Sequence, residues 1–282
     1  MSDDARTEST QAPRIAVIGG GVMGGTILTA LRVGGWPESR IVVAERDGGR
    51  RAALAEGHGV EATASISDAV EGAEAIVIAV KPQDAAETLE QISSAYKPGA
   101  LVMTVAAGLA ASFYEERLPE GAPVVRCMPN TPAIVAHGAT AICAGAHASQ
   151  EHLALAGAIL RATGLVVAVR REEQIDAVTA VSGSGPAYFY AVVEALAEAG
   201  VKQGLDRVLA TQLAAQTFVG AARLLKESGD SPTVLRQRVS SPGGTTIAAL
   251  EAMEAAGLAD VIAAGADAAA ARSRELGEEL AG

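Results

Sequence analysis

The sequence predicts an α/β domain built on a doubly wound sheet, followed by an all-α domain. Three observations predict this. Short, wholly apolar runs alternate with helix-period segments from Arg14 to about Arg170. A glycine-rich turn joins the first apolar run to the first helical segment. After Arg170 the strand patterns cease, and everything from about Glu172 to Leu280 reads as helix. A switch from alternating strands and helices to helices alone marks a domain boundary.

In order along the chain, residues 1–12 are polar and read as a disordered tail, with no apolar segment of a signal peptide. Ile15–Ile18, with Arg14 before it, reads as a buried parallel strand. The turn Gly19-Gly20-Gly21-Val22-Met23-Gly24 follows, then a helix from Thr26 to Leu31 that stops at Gly34-Gly35-Trp36-Pro37. Ile41–Ala44 is a second strand, closed by Glu45-Arg46-Asp47. Gly19, Gly21 and Gly24 fit G-x-G-x-x-G between a strand and a helix, and an acidic residue ends the next strand. In that context the glycines give a tight turn, close approach to a pyrophosphate and close helix–strand packing. The helix start then offers N–H groups and a positive dipole end to the phosphates. A Rossmann-type dinucleotide-binding domain over 13–170 is therefore expected.

The alternation continues with helix at 50–55, strand at 60–62, helix at 66–70 and the strand Ala75–Val80, which ends at Lys81-Pro82. A helix over 84–95 leads to the strand Leu101–Val105, closed by Ala106-Ala107-Gly108. Ligands of doubly wound sheets lie at the carboxyl ends of the strands, so Val80–Pro82 and Ala106–Gly108 should line the cofactor crevice. Val124–Cys127 precedes Met128-Pro129-Asn130-Thr131-Pro132, a stiff loop able to hold an amide and a hydroxyl in place. Strands at 139–144 and 166–169 flank a helix over 149–162, and the helical region 171–282 is broken by Gly200, by 228–232 and by 240–246.

The totals exclude several classes. The 282 residues are 49% hydrophobic, ample for a buried core, yet only 3% aromatic, so that core is Ala, Val, Leu and Ile. A net charge of −11 argues against nucleic-acid binding, which needs clustered cations. Cys127 and Cys143 read as small buried residues, and the four histidines show no metal spacing, so no metal site is expected. No uninterrupted apolar run of about 18 residues suggests a membrane helix, and a cytoplasmic protein is expected.

Two stretches of the helical region depart from helix composition. Thr179-Ala-Val-Ser-Gly-Ser-Gly-Pro-Ala-Tyr188 carries hydroxyls, two glycines and a proline inside a helical pattern. Ser241-Pro-Gly-Gly-Thr-Thr246 precedes a helix, where Gly-Gly lets N–H groups approach an anion and Thr caps or donates. No Ser-His-Asp, Cys-His or Lys-x-x-Asn constellation is legible. Such a site suits electron-pair and hydrogen transfer to a substrate that needs little proton chemistry from the protein, such as an already protonated imine.

Asp176–Tyr188 and Val239–Thr246 resemble the signature segments of pyrroline-5-carboxylate reductases. So do Val80–Pro82, Ala106–Gly108, Val125–Pro132 and Leu213–Thr217, and the likeness runs from about Arg14 to Leu276. The resemblance implies reduction of 1-pyrroline-5-carboxylate to L-proline with NAD(P)H, the last step of proline biosynthesis. It implies an α-helical C-terminal dimerisation domain, an intertwined homodimer often assembled into a decamer, and a substrate pocket drawing on both subunits. It places cofactor contacts at Ile18, Gly19, Gly20, Gly21, Val22, Met23 and Gly24, at Ala79, Val80, Lys81 and Pro82, and at Val105, Ala106 and Ala107. Ser241, Gly243, Gly244, Thr245 and Thr246 correspond to the loop that holds the substrate carboxylate. Thr179 corresponds to a threonine near the pyrroline nitrogen.

Glu45 stands where many members carry a small polar residue. A carboxylate there accepts from a ribose 2'-OH and repels a 2'-phosphate, whereas Arg46, Arg50 and Arg51 can grip that phosphate. Both NADPH and NADH remain open, with NADPH favoured for a biosynthetic reductase. The rival readings are another Rossmann-type dehydrogenase or imine reductase of a small amino or hydroxy acid, and a cofactor-binding protein without turnover.

Overall fold

Four-residue apolar runs form the central strands because they are covered on both faces. Every residue of Ile15–Ile18 and of Ala75–Ile78 is at most 1% exposed. Burial of each Ile or Val side chain among them contributes roughly 1.5–3 kcal/mol, and burial on both faces explains why these runs show no alternation. The computed structural model describes residues 12–281. The expected tail lies outside the described residues, apart from Ala12, whose carbonyl accepts from Arg40 Nε at 2.7 Å.

Contacts divide the chain into two units: residues up to Gly183 together with those from Ala269 onward, and Ser184–Ala268. The first begins β1 (Ile15–Ile18), α1 (Val22–Val33), β2 (Ile41–Ala44), α2 (Gly48–His58), β3 (Glu61–Thr63) and α3 (Ile66–Val70). It continues through β4 (Ala75–Ile78), α4 (Ala85–Ala95), β5 (Leu101–Thr104), α5 (Ala111–Glu115), β6 (Val124–Met128) and β7 (Gly138–Ala144). Then come α6 (Gln150–Leu160), β8 (Gly164–Ala168), α7 (Gln174–Val178) and a π-helical turn over Thr179–Gly183. The sheet order is β3-β2-β1-β4-β5-β6-β7-β8. Its first six strands follow the dinucleotide-binding order 3-2-1-4-5-6. All neighbours are parallel except β6 and β7. Residues of α3, α4 and α5 cover one face, around Ile18, Ile76 and Val102. Residues of α1, α2 and α6 cover the other, around Val17, Val77 and Met103.

The second unit holds α8 (Gly185–Lys202), α9 (Arg207–Ser228), α10 (Pro232–Arg238), α11 (Thr245–Ala255) and the first part of α12 (Leu258–Ala281). Ala197 of α8 packs on Ala210 and Ala214 of α9, and Phe189 meets Phe218 at 5.2 Å. Phe189, Tyr190, Leu213 and Val219 are each more than half exposed.

Five features differ from expectation or escape it, each for a physical reason. Helix α1 starts at Val22 rather than Thr26, because Gly24 and Gly25, poor helix formers, disguise its first turn. The expected break at Gly200 does not occur. Gly200 lies inside α8, where a Cβ would come within 3.2 Å of Ala210, so the glycine serves the close crossing with α9. The antiparallel direction of β7 and the short α5 carry no signal in periodicity. Helix α9 is long and apolar enough, by length and composition, to cross a membrane. Its apolar residues are spaced among Thr, Gln, Gly and Arg, so no unbroken run announces it.

Candidate functional site

The carboxyl ends of β1, β2 and β4 open into a cleft of about 320 Å³. Gly19 turns the chain out of β1 at φ 96°, and its N–H donates to the Ala44 carbonyl at 2.9 Å. A side chain there would press on the Ala79 carbonyl oxygen at 2.8 Å. Gly24 faces the Gly19 carbonyl so closely that no Cβ fits between them. Gly21 is different: no atom lies within 4 Å of where its Cβ would stand. No side chain caps α1, which leaves its first N–H groups without a side-chain acceptor, as at helix starts that receive a pyrophosphate.

Glu45 closes the second side of this turn. Its Oε2 accepts from the Gly20 N–H at 2.9 Å and from Arg50 at 3.3 Å, and Oε1 accepts from the Asp47 N–H at 2.8 Å. The side chain is 6% exposed. Burial alone would raise this carboxyl; the Asp47 and Gly20 N–H groups and the Arg50 guanidinium outweigh it and hold Glu45 below its ordinary value. The carboxylate thus ties its own loop to the glycine-rich turn and lines the cleft between them. Arg46 beside it is 86% exposed, with Asp84 at 4.0 Å. Glu45→Gln is expected to lower stability by about 1–3 kcal/mol at pH 7. Because the folded carboxyl titrates below the unfolded one, its contribution is full above the ordinary value near 4.5 and is lost as pH falls through the folded value. Chemical denaturation of both proteins at pH 7 and near pH 3 checks this: the gap should narrow in acid.

The cleft gathers Ile18, Gly19, Gly21, Glu45, Arg46, Ala79, Val80 and Lys81 of the expected cofactor residues. Gly20, Val22, Met23, Gly24, Pro82, Val105, Ala106 and Ala107 are not among its lining residues. Met23, in the first turn of α1, packs against the core, and Ala106 is held at the end of β5 by its N–H to Thr104 Oγ1 at 3.3 Å. Asp84, Glu87, Thr88 and Gln91 also line the cleft without having been singled out, because one face of an ordinary amphipathic helix carries no motif.

Thr179 lies at the start of the π-turn. Its hydroxyl donates to the Ile175 carbonyl at 2.8 Å, which commits the proton and leaves the oxygen lone pairs to accept. Ser182 Oγ likewise donates to the Val178 carbonyl at 3.1 Å. Polar ties hold this segment. Glu172 Oε1 accepts from Arg126 at 2.9 Å and from the Ala111 N–H at 2.8 Å. Ser273 donates to Asp176 at 2.7 Å, and Asn130 Nδ2 donates to the Ser182 carbonyl at 3.0 Å. Cys127 is buried, which pushes its thiol well above the usual range and removes it as a nucleophile.

In the second unit, Ser241–Gly244 closes a tight turn, with the Gly244 N–H donating to the Ser241 carbonyl at 2.9 Å. Gly243 takes φ 70°, and open space lies beside it. Gly244 precedes α11, which no side chain caps. The N–H groups of its first turn, those of Thr245 and Thr246 among them, therefore lack a side-chain acceptor.

A family model described as pyrroline-5-carboxylate reductase dimerisation matches residues 172–276. Another, described as NADP oxidoreductase coenzyme F420-dependent, matches residues 14–108. A pyrroline-5-carboxylate reductase of Pseudomonas aeruginosa is 41% identical over 268 residues, covering 95% of this chain and 98% of that protein. The structure of a pyrroline-5-carboxylate reductase from Coxiella burnetii superposes with a TM-score of 0.90 at 37% identity, covering 94% of this chain and 98% of the other. A Plasmodium falciparum pyrroline carboxylate reductase, solved with NADP bound, gives a TM-score of 0.80 at 26% identity, with 94% and 98% coverage.

Proposed function

The chain belongs to the pyrroline-5-carboxylate reductase family, and we propose that it reduces 1-pyrroline-5-carboxylate to L-proline with NAD(P)H, closing proline biosynthesis. The observation that carries this reading is the 41% identity running over 95% of the chain. The open space beside Gly21 at an uncapped helix start supports the cofactor's place. Bound NAD(P)H supplies the hydrogen and electron pair that the C=N carbon accepts. Ile18–Gly24, Ala79–Pro82 and Val105–Ala107 would hold it, with the α1 N–H groups on the pyrophosphate.

NADPH is the preferred cofactor in this reading. Glu45 spends its carboxylate on Gly20, Asp47 and Arg50, while the exposed Arg46 offers a planar fork suited to a 2'-phosphate. Thr179 orients the ring nitrogen through its free lone pairs. Ser241, Gly243, Gly244, Thr245 and Thr246 hold the substrate carboxylate. The working division is a cofactor domain over 13–170 and a substrate and dimerisation domain over 171–282. The exposed apolar side chains of α8 and α9 support association with a second copy, and the protein acts in the cytoplasm as a homodimer.

Turnover of 1-pyrroline-5-carboxylate with each cofactor tests the reading. Oxidation of NADPH with a lower KM than NADH is expected. Oxidation of neither overturns the activity, and a lower KM for NADH overturns the preference alone. Thr246→Val is expected to raise the substrate KM about tenfold while leaving the cofactor KM within about twofold. Equal changes in both would count against the carboxylate role.

A further inference from the structure

We propose that Asn130 is a positioning residue for this reduction: its side-chain amide holds the π-turn Thr179–Gly183 in the shape that presents Thr179. The proposal rests on the reading of Thr179 as the residue facing the ring nitrogen.

The need for such a residue is written into the chain. In an α-helix the Ser182 carbonyl would accept from the N–H four residues on. That residue is Pro186, which has no N–H. The next candidate, the Ala187 N–H, already donates to the Ser184 carbonyl at 3.0 Å. Ser182, half-buried, is thereby left with a carbonyl that the local helix does not satisfy. Asn130 Nδ2 supplies the missing donor at 3.0 Å from a position remote in sequence.

Asn130 is built for this and not for the common role of its type. It precedes the short helical turn Thr131–Val135, where an asparagine ordinarily caps, yet its side chain makes no cap hydrogen bond. Oδ1 instead accepts from the Ala139 N–H at 2.9 Å. The ladder between β6 and β7 ends at the pair Met128 and Ala141, so the amide takes over just past the last backbone pair. The residue is 9% exposed, and its side chain is fixed on one side by β7 and on the other by the π-turn. Gly183 packs close to Met128 in the same place, where a Cβ would stand 2.7 Å from Met128 Cε. One amide therefore transmits the position of the sheet end to the turn that carries Thr179. π-Turns inside helices are a recurrent feature of functional sites.

The test is a kinetic double-mutant cycle on the full chain, with 1-pyrroline-5-carboxylate and NADPH, using Asn130→Asp, Thr179→Val and the double variant. An aspartate at 130 still accepts from the Ala139 N–H, but it opposes the Ser182 carbonyl with a second acceptor. A fall in kcat of about tenfold is expected, with the NADPH KM within about twofold of the parent. The rate relative to the parent should recover as pH falls and the new carboxyl gains a proton that it can donate. The double variant should be no slower than Thr179→Val to within about twofold, because one effect acts through the other. Multiplying effects, or a loss without recovery in acid, overturn the proposal. Slow Thr179→Val beside a wild-type rate for Asn130→Asp overturns it alone. A wild-type rate for Thr179→Val overturns the reading of Thr179, and with it the claim that Asn130 acts through that residue. If Asn130→Asp does not fold, Asn130→Ala enters the same cycle and is judged by the same non-additivity.

Discussion

Gly24→Ala is expected to cost about 3 kcal/mol or more of stability, while Gly21→Ala leaves stability within about 1 kcal/mol and weakens cofactor binding about 10- to 100-fold. The two glycines lie three residues apart in one motif but carry different loads. A Cβ on Gly24 would run into the Gly19 carbonyl. Gly19 cannot retreat, because it sits at φ 96° with its N–H tied to Ala44 and the Ala79 carbonyl close behind it. Backbone against backbone has no flexible end to give way, so the helix must shift off the strand. For a unit of this size the loss corresponds to a fall in Tm on the order of 10 °C. Gly21 has φ −66° and ψ −169°, which alanine adopts readily, and nothing lies near its missing side chain. A methyl there meets only the ligand, in the space a phosphate must enter. Thermal melts with and without NADPH, together with NADPH titration, separate the two. Equal losses of Tm, or an unchanged affinity in Gly21→Ala, would contradict the division of roles.

Thr179→Val is expected to lower kcat by about 100-fold while leaving the cofactor KM within about twofold. The Thr179 proton is committed to the Ile175 carbonyl, so toward a ligand this hydroxyl acts as an acceptor. An acceptor favours the protonated, charged form of a ring nitrogen and raises its pKa. Valine keeps the shape and removes that bias. The alkaline limb of the kcat profile should therefore move to lower pH in the variant, which simple loosening of the helix would not produce. Thr179→Ser, which keeps the hydroxyl, should retain most of the activity.

Much of the first unit was legible because its strands are buried on both faces. Ile15–Ile18, Ile41–Ala44 and Leu101–Thr104 are wholly buried, and such strands show as uninterrupted apolar runs. The turn at 19–24 was legible for a related reason, since only glycine meets the steric demands at 19 and 24. What escaped is set by tertiary contacts. Gly200 looks like a helix breaker until α9 crosses it. Glu45 is legible as an acceptor at the end of its strand, but its tie to the Gly20 N–H is not. The composition of 179–188 marked an unusual helix, but not that Pro186 orphans a carbonyl that Asn130, far away in sequence, must satisfy. The cleft face of α4 escaped because Asp84, Glu87 and Gln91 look like any solvated helix surface.

Conversion of the cyclic imine to proline is the activity proposed for this chain. The most direct measurement incubates the purified protein with 1-pyrroline-5-carboxylate and NADPH and counts the product by chiral chromatography. One L-proline is expected for each NADPH oxidised, with no D-proline. Oxidation of NADPH without proline, or no oxidation with either NADPH or NADH, would contradict it.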